Sequence, residues 1–282
     1  MTDLRPAPSP NAPPASPHGL RRAQRRAWEQ VAAAVHDFHL APTTQYYRRC
    51  EIALVERCFG DIAGKRLLKL DLWNEAHNTR ILHWMADQGA DVYALDLSQT
   101  VTGRAQRNAN GNGLGRRMVC ADIREIPFAD QSFDLVYTMG TIEHIDEYRD
   151  SMAEVLRVLR PGGRAIVGVP HKWNLFLRPL MVQLLTRAGA YLYAPEKSFG
   201  AGELRRDLES VGFRVLGRSG ILTIPGPLRM ADLYFFTRRI PLYRLSPLFT
   251  APFDFLETRF DWPGRFGYLM SMTVERPASD VG

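Results

Sequence analysis

The chain has 282 residues, of which 45% are hydrophobic and 23% are charged, so a packed globular core is expected. This length is enough for one sizeable α/β domain with additions or for two small domains. The formal net charge of +6 suits an anionic partner, either nucleic acid or a membrane surface, but it equally suits a solvated basic surface.

The three cysteines are scattered, and none belongs to a C-x-x-C pair, which argues against a disulfide framework and against a structural zinc site. No N-terminal run combines a charged start, an apolar middle and a small-residue cleavage site, so no secretory signal is predicted. These features favour a reducing, cytoplasmic setting.

The N-terminal part of the chain divides into two segments of different composition. Residues 1–18 are rich in Pro, Ala and Ser and contain almost no large apolar side chains, which predicts a disordered tail. Residues 19–60 are predicted to form a helical extension, because apolar side chains such as Trp28, Val31 and Val35 recur three or four residues apart.

The next segment, residues 61–172, alternates between strand-like and helix-like patterns. Helices are predicted over 79–89 and 150–160, and strands over 65–72, 90–98, 116–122, 132–140 and 164–170. Strands that alternate with helices of this length indicate right-handed βαβ units and a doubly wound parallel sheet.

The remaining chain is predicted to complete this core and to carry two apolar inserts. Residues 173–200 form an amphipathic insert, whose apolar stretch runs over 173–194. Residues 201–276 supply a helix, a returning strand and a final strand at 267–275, and they contain the second insert at 221–262. Residues 277–282 are a short tail.

Acidic residues follow three of the predicted strands. Asp71, Asp96 and Asp122 come after strands one, two and three, and the run MGTIEH follows strand four. In an open α/β sheet the ligand lies outside the carboxyl ends of the strands, and an acid after the second strand is placed to accept hydrogen bonds from ribose hydroxyls. Each acid taken alone also suits a helix cap or a turn.

Three stretches of the sequence resemble one known family. They are DLS with Asp96, ADIREIPFADQSFDLV with Asp122, and EVLRVLRPGGRAIVGVP. On these stretches residues 65–170 resemble the core of a class I S-adenosylmethionine-dependent methyltransferase. The resemblance implies a seven-stranded, mostly parallel, Rossmann-like sheet with an apolar helical cap, and S-adenosylmethionine as the cofactor. It also implies the positions of the cofactor contacts: Asp96 and Leu97 at the ribose, Asp122 and Ile123 at the adenine, and Met139 in the pocket wall.

The stretch KLDLWNEAHNTR departs from the family pattern, in which an acid and a Gly-x-Gly-x-Gly run follow the first strand. It contains no glycine, and side chains at these positions prevent the closest approach of the backbone to the ligand. We expect side chains to hold the methionine end of the cofactor instead. Arg80, or else Arg48 and Arg49 of the preceding helical segment, would face its carboxylate, and Glu75 its ammonium group. The candidates are Asp71, Trp73, Asn74, Glu75, Asn78, Thr79 and Arg80. The alternative is a site that no longer binds the cofactor.

Two histidines are candidates for the reacting end. His144, preceded by Glu143, is the best candidate for a general base, because the unperturbed pKa of histidine is near neutrality; a helix-capping role is the alternative. His171, after strand five, is the second candidate. The chain is most similar to the ubiquinone-biosynthesis O-methyltransferases, whose Glu-x-x-Glu-His run has been associated with a divalent metal. Because Gly140 replaces the first Glu of that run, no metal is predicted.

The predicted function is methyl transfer from S-adenosylmethionine to a hydrophobic small-molecule or lipid-linked acceptor, at oxygen rather than carbon or nitrogen. The alternatives are a catalytically silent binding module and a nucleic-acid methyltransferase. No nucleic acid is expected as partner, because the sequence lacks an Asn-Pro-Pro-Tyr motif and a basic strand interleaved with aromatic residues.

The two apolar inserts raise a separate expectation. Arg178, Pro179 and Arg187 make 173–194 too polar for a transmembrane helix but suit a helix lying in the membrane interface. A lid over a hydrophobic substrate and a helix packed on the protein's own core are the alternatives. Peripheral contact with the inner face of the membrane is therefore expected through 173–194 and 221–262.

Overall fold

The computed structural model describes residues 17–109, 113–174, 176, 178–187 and 196–278. Within these residues seven strands form one sheet in the order β3-β2-β1-β4-β5-β7-β6. β7 runs antiparallel to both of its neighbours, β5 and β6, and all the other strand pairs are parallel. The strands are β1 (Arg66–Lys69), β2 (Asp91–Asp96), β3 (Met118–Cys120), β4 (Phe133–Met139), β5 (Leu159–Pro170), β6 (Arg214–Ile221) and β7 (Leu269–Glu275). The predicted doubly wound, mostly parallel sheet is confirmed.

Helices surround this sheet and also precede it. The helices of the described part of the chain are α1 (Pro17–Ala34), α2 (Pro42–Phe59), α3 (Trp73–His77), α4 (Ile81–Asp87), α5 (Gln99–Asn108), α6 (Tyr148–Val158), α7 (Arg178–Arg187), α8 (Ala201–Val211), α9 (Gly226–Thr237) and α10 (Ser246–Arg259). Short 3-10 helices cover Leu114–Arg117, Ile142–His144, Pro241–Leu245 and Pro263–Phe266.

The predicted boundaries differ from the structure in three places. The N-terminal extension is two helices, and the second begins at Pro42, whose fixed φ suits the first helical position. β1 ends at Lys69 rather than at 72, because the chain then turns into α3, a helix that the glycine-free stretch did not predict. β5 begins at Leu159 rather than at 164, since its first residues pair with β4 before a bulge.

The core lies on both faces of the sheet. On one face α2, α4 and α5 pack against side chains that include Leu67, and on the other α6 and α8 pack against side chains that include Leu68. Successive residues of a strand point to opposite faces, so Lys69 points to the same face as Leu67 and α2. The buried face next to α2 therefore receives a charged side chain at the end of β1.

The segment between β6 and β7 forms an apolar helical cap of α9, α10 and the 3-10 helix between them. Two buried carboxylates join this cap to the rest of the molecule. Glu257 accepts hydrogen bonds from Tyr46 of α2 and from the backbone N–H of Leu222, 2.8 Å away. Asp232 accepts from the N–H of Thr43 at 3.0 Å and from the hydroxyl of Ser246 at 2.5 Å. The cap is therefore anchored on α2.

Two predicted segments lie wholly or partly outside the described residues. Nearly all of the N-terminal tail, 1–18, lies outside them. Of the first apolar insert, 173–194, the structure describes α7 and a few residues before it. Within the described part of the chain, no helix is both long enough and apolar enough to span a bilayer.

Candidate cofactor site

A cavity opens at the carboxyl ends of β1, β2 and β4, which is the edge where the sequence places its acidic residues. Most of the predicted site residues lie in its wall: Asp71, Trp73, Asn74, Asn78, Asp96, Leu97, Asp122, Ile123, Met139, Glu143 and His144. Four others, Glu75, Thr79, Arg80 and His171, are not part of this wall. The predicted location of the site thus coincides with a real cavity.

Helix α1 covers one side of the cavity, which the sequence did not predict. Gln24 and Trp28 of this helix line the wall. The Trp28 ring makes edge contacts with the rings of Trp73, at 5.9 Å between centroids, and His144, at 4.9 Å. The amide of Gln24 donates to the carbonyl of His144 at 2.6 Å. The N-terminal extension therefore completes the cavity rather than merely preceding the domain.

Asp96 lies at the end of β2 with its carboxylate fixed by two backbone donors. Oδ2 accepts from the N–H of Leu72 at 2.9 Å, and Oδ1 accepts from the N–H of Ser98 at 2.8 Å. Burial raises the pKa of Asp96 to about 7. Each carboxylate oxygen retains acceptor capacity, so Asp96 can accept hydrogen bonds from the hydroxyls of a ribose in the cavity.

Asp122, after β3, is held by a neighbouring arginine. Its two oxygens accept from Arg124, at 2.9 Å from Nε to Oδ1 and 2.7 Å from Nη2 to Oδ2. Burial alone would raise the pKa of Asp122, but the hydrogen bonds from Arg124 hold it below its usual range. Arg124 also donates to Glu147 and to Gln24 of α1, both at 3.1 Å. An adenine amino group near Asp122 would therefore share its acceptor with Arg124.

The glycine-free stretch folds as the short helix α3, and a buried ion pair fixes its start. The ammonium group of Lys69 lies 2.8 Å from Asp71 Oδ1 and 3.0 Å from Glu75 Oε2. Burial alone would lower the pKa of Lys69, but these two carboxylates raise it above its usual value. Glu75 also accepts from the N–H of Leu82 at 3.0 Å. Glu75 is thus occupied inside the protein, and its expected contact with the cofactor's ammonium group is not supported.

Thr79 and Arg80 face away from the cavity. The hydroxyl of Thr79 donates to the buried carboxylate of Glu51. The guanidinium of Arg80 pairs with Asp37 at 2.8 Å, and Arg48 donates to the carbonyls of Thr79 and Arg80 at 2.6 and 2.8 Å. The expected pairing of Arg80 with a carboxylate in the cavity is therefore wrong. The Arg80 guanidinium does not line the cavity and forms its ion pair with Asp37 instead.

The remaining part of the loop fits the amino-acid end of S-adenosylmethionine. Asp71 Oδ2 is buried in the cavity wall and has no hydrogen-bond partner. Beside it Asn74 and Asn78 are linked by a 3.3 Å hydrogen bond. An unsatisfied buried carboxylate oxygen is costly, and an ammonium group is the donor that would satisfy it. Asp71 at one end and Asp96 at the ribose position therefore suit the two ends of the cofactor.

The reacting end is formed where β4 turns. Gly140 has a φ of +77°, a conformation that a residue with a side chain rarely adopts, and Glu143 and His144 follow in a 3-10 helix. Nε2 of His144 lies 3.8 Å from Glu143 Oε1. The residue at the N-terminal boundary of α6 is Glu147, so His144 is not a helix cap. An imidazole in the cavity wall with a carboxylate beside it can accept and release a proton.

His171 lies elsewhere. Its Nε2 is 3.3 Å from Arg218 of β6, and its backbone forms a bridge with Phe199. Burial and the charge of Arg218 lower the pKa of His171 to about 4, so the ring is neutral at physiological pH. The expectation that His171 faces an entering substrate is corrected by this placement.

Metal ligands are a separate question. Among the residues that the structure describes, no three or more His, Cys, Asp or Glu side chains are grouped so as to hold a metal ion. The three cysteines are free thiols.

Comparison with known proteins identifies the domain. A family model described as a methyltransferase domain matches residues 77–167. Residues 77–167 therefore form a methyltransferase domain. The match begins at the end of α3, so it leaves out residues 69–76 of the glycine-free stretch. The predicted class I methyltransferase core with an atypical first motif is confirmed, and with it S-adenosylmethionine as the cofactor of the class.

Similar proteins include enzymes of quinone biosynthesis. A ubiquinone biosynthesis O-methyltransferase of Sinorhizobium fredii is 29% identical over 147 residues, which cover 50% of this chain and 58% of that protein. A ubiquinone/menaquinone biosynthesis C-methyltransferase of Geobacter sulfurreducens is 29% identical over 141 residues, covering 44% and 55%. The chain thus spans less than two thirds of the length of these relatives.

A solved structure shows the same fold over a longer range. The [4+2]-cyclase SpnF is 18% identical and has a TM-score of 0.59, covering 93% of this chain and 96% of that one. At this identity the likeness shows the fold alone. It extends the match from the family domain to nearly the whole described chain.

Proposed function

We propose that this protein transfers a methyl group from S-adenosylmethionine to an oxygen of a hydrophobic small-molecule or lipid-linked acceptor. The observation that carries the proposal is the cavity at the strand ends, in which Asp71 offers an unpartnered carboxylate oxygen and Asp96 a fixed one. These two groups stand where the amino-acid end and the ribose of the cofactor would lie. The methyltransferase domain match gives the class of reaction.

The residues of the cavity would divide the work as follows. The bound cofactor supplies an electrophilic methyl group on its sulfonium. Asp96 orients the ribose, Asp71 holds the ammonium group, and Met139 with Trp73 and Trp28 forms an apolar wall that limits access of water. His144 takes the proton of an acceptor hydroxyl, and Glu143 steadies the imidazolium that results.

Oxygen is favoured over carbon as the methylated atom because of His144. A hydroxyl acceptor needs a base that removes its proton during the displacement, and His144 is a titratable side chain of suitable type in the wall. The similar proteins include an O-methyltransferase and a C-methyltransferase of quinone biosynthesis, so they support a quinone-like or other hydrophobic acceptor but do not decide between oxygen and carbon.

Two other functions are distinguished from methyl transfer to a hydrophobic acceptor by the tests below. A catalytically silent module is favoured by the absence of glycine in the loop and by Lys69, whose ammonium group already neutralises Asp71 Oδ1. The likeness to a cyclase also shows that the fold serves other chemistry. A nucleic-acid methyltransferase is favoured only by the net charge.

Calorimetric titration with S-adenosylhomocysteine tests the binding step. We expect saturable binding to the full chain, because the strand-end acids and the apolar wall are all in place. A folded protein, verified by circular dichroism, that releases no heat at millimolar ligand would contradict the proposal. Incubation with methyl-labelled cofactor and either a lipid extract or total RNA then distinguishes the three functions. Label in the lipid fraction supports the proposal. Label in RNA supports a nucleic-acid methyltransferase, and label in neither fraction supports a catalytically silent module.

The helical cap carries an exposed apolar surface that suits membrane contact. We name this surface the cap face; its exposed large apolar side chains are Leu228, Met230, Tyr234, Ile240, Leu242, Leu245, Leu248, Phe249, Phe255, Phe260, Trp262 and Phe266. So many exposed large apolar side chains in one segment suggest an interaction site. Within the described part of the first insert, Leu180 and Leu184 of α7 are exposed as well.

The charge of the cap face favours an anionic lipid surface as its partner. The acids of this segment are all engaged: Asp232 and Glu257 are buried, and Asp254 pairs with Arg49 at 2.8 Å. The exposed charges of α9, α10 and their connection are therefore arginines: Arg238, Arg239, Arg244 and Arg259. Each basic side chain near an anionic bilayer contributes about 1 kcal/mol to binding. Contact through the cap face would bring the protein to the surface in which a lipid-like acceptor is dissolved.

Co-sedimentation with vesicles tests this contact. The wild-type protein should pellet with phosphatidylglycerol-containing vesicles and less so at high salt, because the arginines are screened. The double variant Leu248→Glu, Phe255→Glu, at side chains that are 71% and 64% exposed, should remain in the supernatant. Leu216→Glu, on the edge strand β6, makes the same change outside the cap face and should pellet like wild type. Equal sedimentation of the double variant and wild type would count against membrane contact.

A further inference from the structure

Glu51 of α2 is a buried carboxylate that contacts the loop after β1 but does not line the cavity. It accepts three side-chain hydrogen bonds. Oε1 accepts from Asn74 Nδ2 at 3.0 Å and from the hydroxyl of Tyr137 at 2.8 Å, and Oε2 accepts from the hydroxyl of Thr79. One side chain therefore joins α2 to α3, to the turn before α4 and to β4.

One of these contacts leads to the cavity wall. Asn74, which donates to Glu51, lines the cavity and accepts a hydrogen bond from Asn78, which lines it as well. On the other side of the loop, Lys69 holds Asp71 by the ion pair described above. Two buried charged residues that do not line the cavity therefore position its polar wall at this end. Lys69 holds Asp71, and Glu51 holds Asn74 and, through it, Asn78.

The backbone of the loop does not provide this shape by itself. A glycine-rich loop obtains its close approach to a ligand from backbone conformations that side chains forbid. Here no residue from 65 to 79 has a positive φ, and the first one that does is Arg80, the last residue of the glycine-free stretch. Side-chain contacts therefore help to arrange the wall, and Glu51 makes three of them.

We propose that Glu51 is a positioning residue for the amino-acid end of the cofactor, because it fixes Asn74, and through it Asn78, beside the unpartnered oxygen of Asp71. This inference rests on the proposed function. Glu51 does not touch the cofactor. Its hydrogen bonds fix the conformation of the loop, which the backbone itself fixes in a glycine-rich loop. Since α2 lies outside residues 77–167, the site of this chain extends beyond its methyltransferase domain.

A purely structural role for Glu51 is the competing explanation, and Glu257 provides the comparison. Glu257 is also a buried carboxylate that accepts from a tyrosine and a threonine hydroxyl, but it joins α10 to α2 and to the end of β6. It is not part of the cavity wall. If burial and satisfied hydrogen bonds were the whole role, the two residues would behave alike.

The experiment compares two ligands on the full chain by calorimetry. S-adenosylhomocysteine contains the amino-acid end, whereas adenosine lacks it. Glu51→Leu leaves the three donors unpaired and should weaken S-adenosylhomocysteine roughly 10- to 100-fold while adenosine binds within about twofold of wild type. Glu51→Gln keeps an acceptor oxygen for Asn74 and Tyr137 and should restore most of the affinity. Glu257→Leu should lower the melting temperature without changing either affinity.

A milder variant covers the case in which Glu51→Leu does not fold. Thr79→Val removes one of the three donors with little change in volume, and it should weaken S-adenosylhomocysteine about threefold or more without affecting adenosine. The inference is overturned if either variant binds S-adenosylhomocysteine as tightly as wild type, or loses both ligands in equal proportion. If wild type binds neither ligand, the proposed function fails first, and the two failures are therefore distinguishable.

Discussion

Replacing Asp96 with asparagine is expected to weaken S-adenosylhomocysteine binding by roughly 30-fold or more. Hydrogen bonds to a charged group contribute about 1.5–3 kcal/mol each, and the ribose offers two hydroxyls. Asparagine also has only one acceptor oxygen, so it cannot serve the N–H groups of both Leu72 and Ser98, which fix the carboxylate in the wild type. Calorimetry on the folded variant measures the loss.

The control lies at the other end of the same strand. Asp91 begins β2 and pairs with Arg66 at 3.4 Å and Arg117 at 2.5 Å, away from the cavity. Asp91→Asn makes the same chemical change and should bind the ligand within about twofold of wild type, because only surface ion pairs are lost. Wild-type affinity in Asp96→Asn would mean that the ribose does not lie at the end of β2.

The pH dependence of binding gives Asp96 a second signature. Burial raises its pKa to about 7, and the ribose hydroxyls donate to the ionised form, so binding weakens as the pH falls below 7. Glu51, whose pKa burial also raises to about 7, titrates in the same range. Both carboxylates lie near Lys69, whose pKa is raised by its neighbouring carboxylates, so its ammonium group stays charged in this range. Affinity is measured against pH for wild type and for both variants. The pH dependence that is lost in Asp96→Asn is due to Asp96, and the pH dependence that is lost in Glu51→Gln is due to Glu51.

Much of this molecule follows from local sequence pattern. The strands of a parallel sheet are apolar on both faces and end at the same edge, so the acids after β1, β2 and β3 had to meet. That argument placed Asp71, Asp96 and Asp122 correctly in one cavity wall without any distance information. The family resemblance added the chemical identity of the ligand, which position alone does not supply.

The parts that were not predicted depend on contacts between distant segments. A five-residue helix such as α3 is unstable alone, and it forms here against the buried pair of Lys69 and Glu75. The one available signal was Lys69, a charged residue between the apolar residues Leu68 and Leu70. Gln24 and His144, which join α1 to the reacting end, are 120 residues apart, and no periodicity reveals such a contact.

Local pattern also accounts for the wrong placements. Arg80 and His171 were placed by their distance along the chain from a strand end, but a side chain at such a position can point to either side of the loop. Arg80 turns outward to Asp37, and His171 turns to Arg218 on β6. Electrostatic neighbours decide these directions, and both neighbours are far away in sequence.

Replacing His144 with glutamine is the change expected to affect catalysis most. A positioned general base contributes typically about 10²- to 10⁴-fold to a rate, so kcat for a hydroxyl acceptor should fall by that amount. Glutamine retains volume against Trp28 and hydrogen-bonding capacity, and the Gln24 contact is to the backbone carbonyl, so the cavity should remain intact. Turnover is measured with methyl-labelled cofactor and short-chain catechol and hydroquinone probes.

His171→Gln makes the same substitution at a buried histidine outside the cavity, and it should leave kcat unchanged, because that ring is neutral and hydrogen-bonded to Arg218. S-adenosylhomocysteine should bind His144→Gln within about threefold of wild type, since the base acts on the acceptor and not on the cofactor. A fall in cofactor affinity that matches the fall in kcat would instead make His144 part of the wall alone. Unchanged turnover of His144→Gln would remove the main reason for preferring oxygen over carbon as the methylated atom.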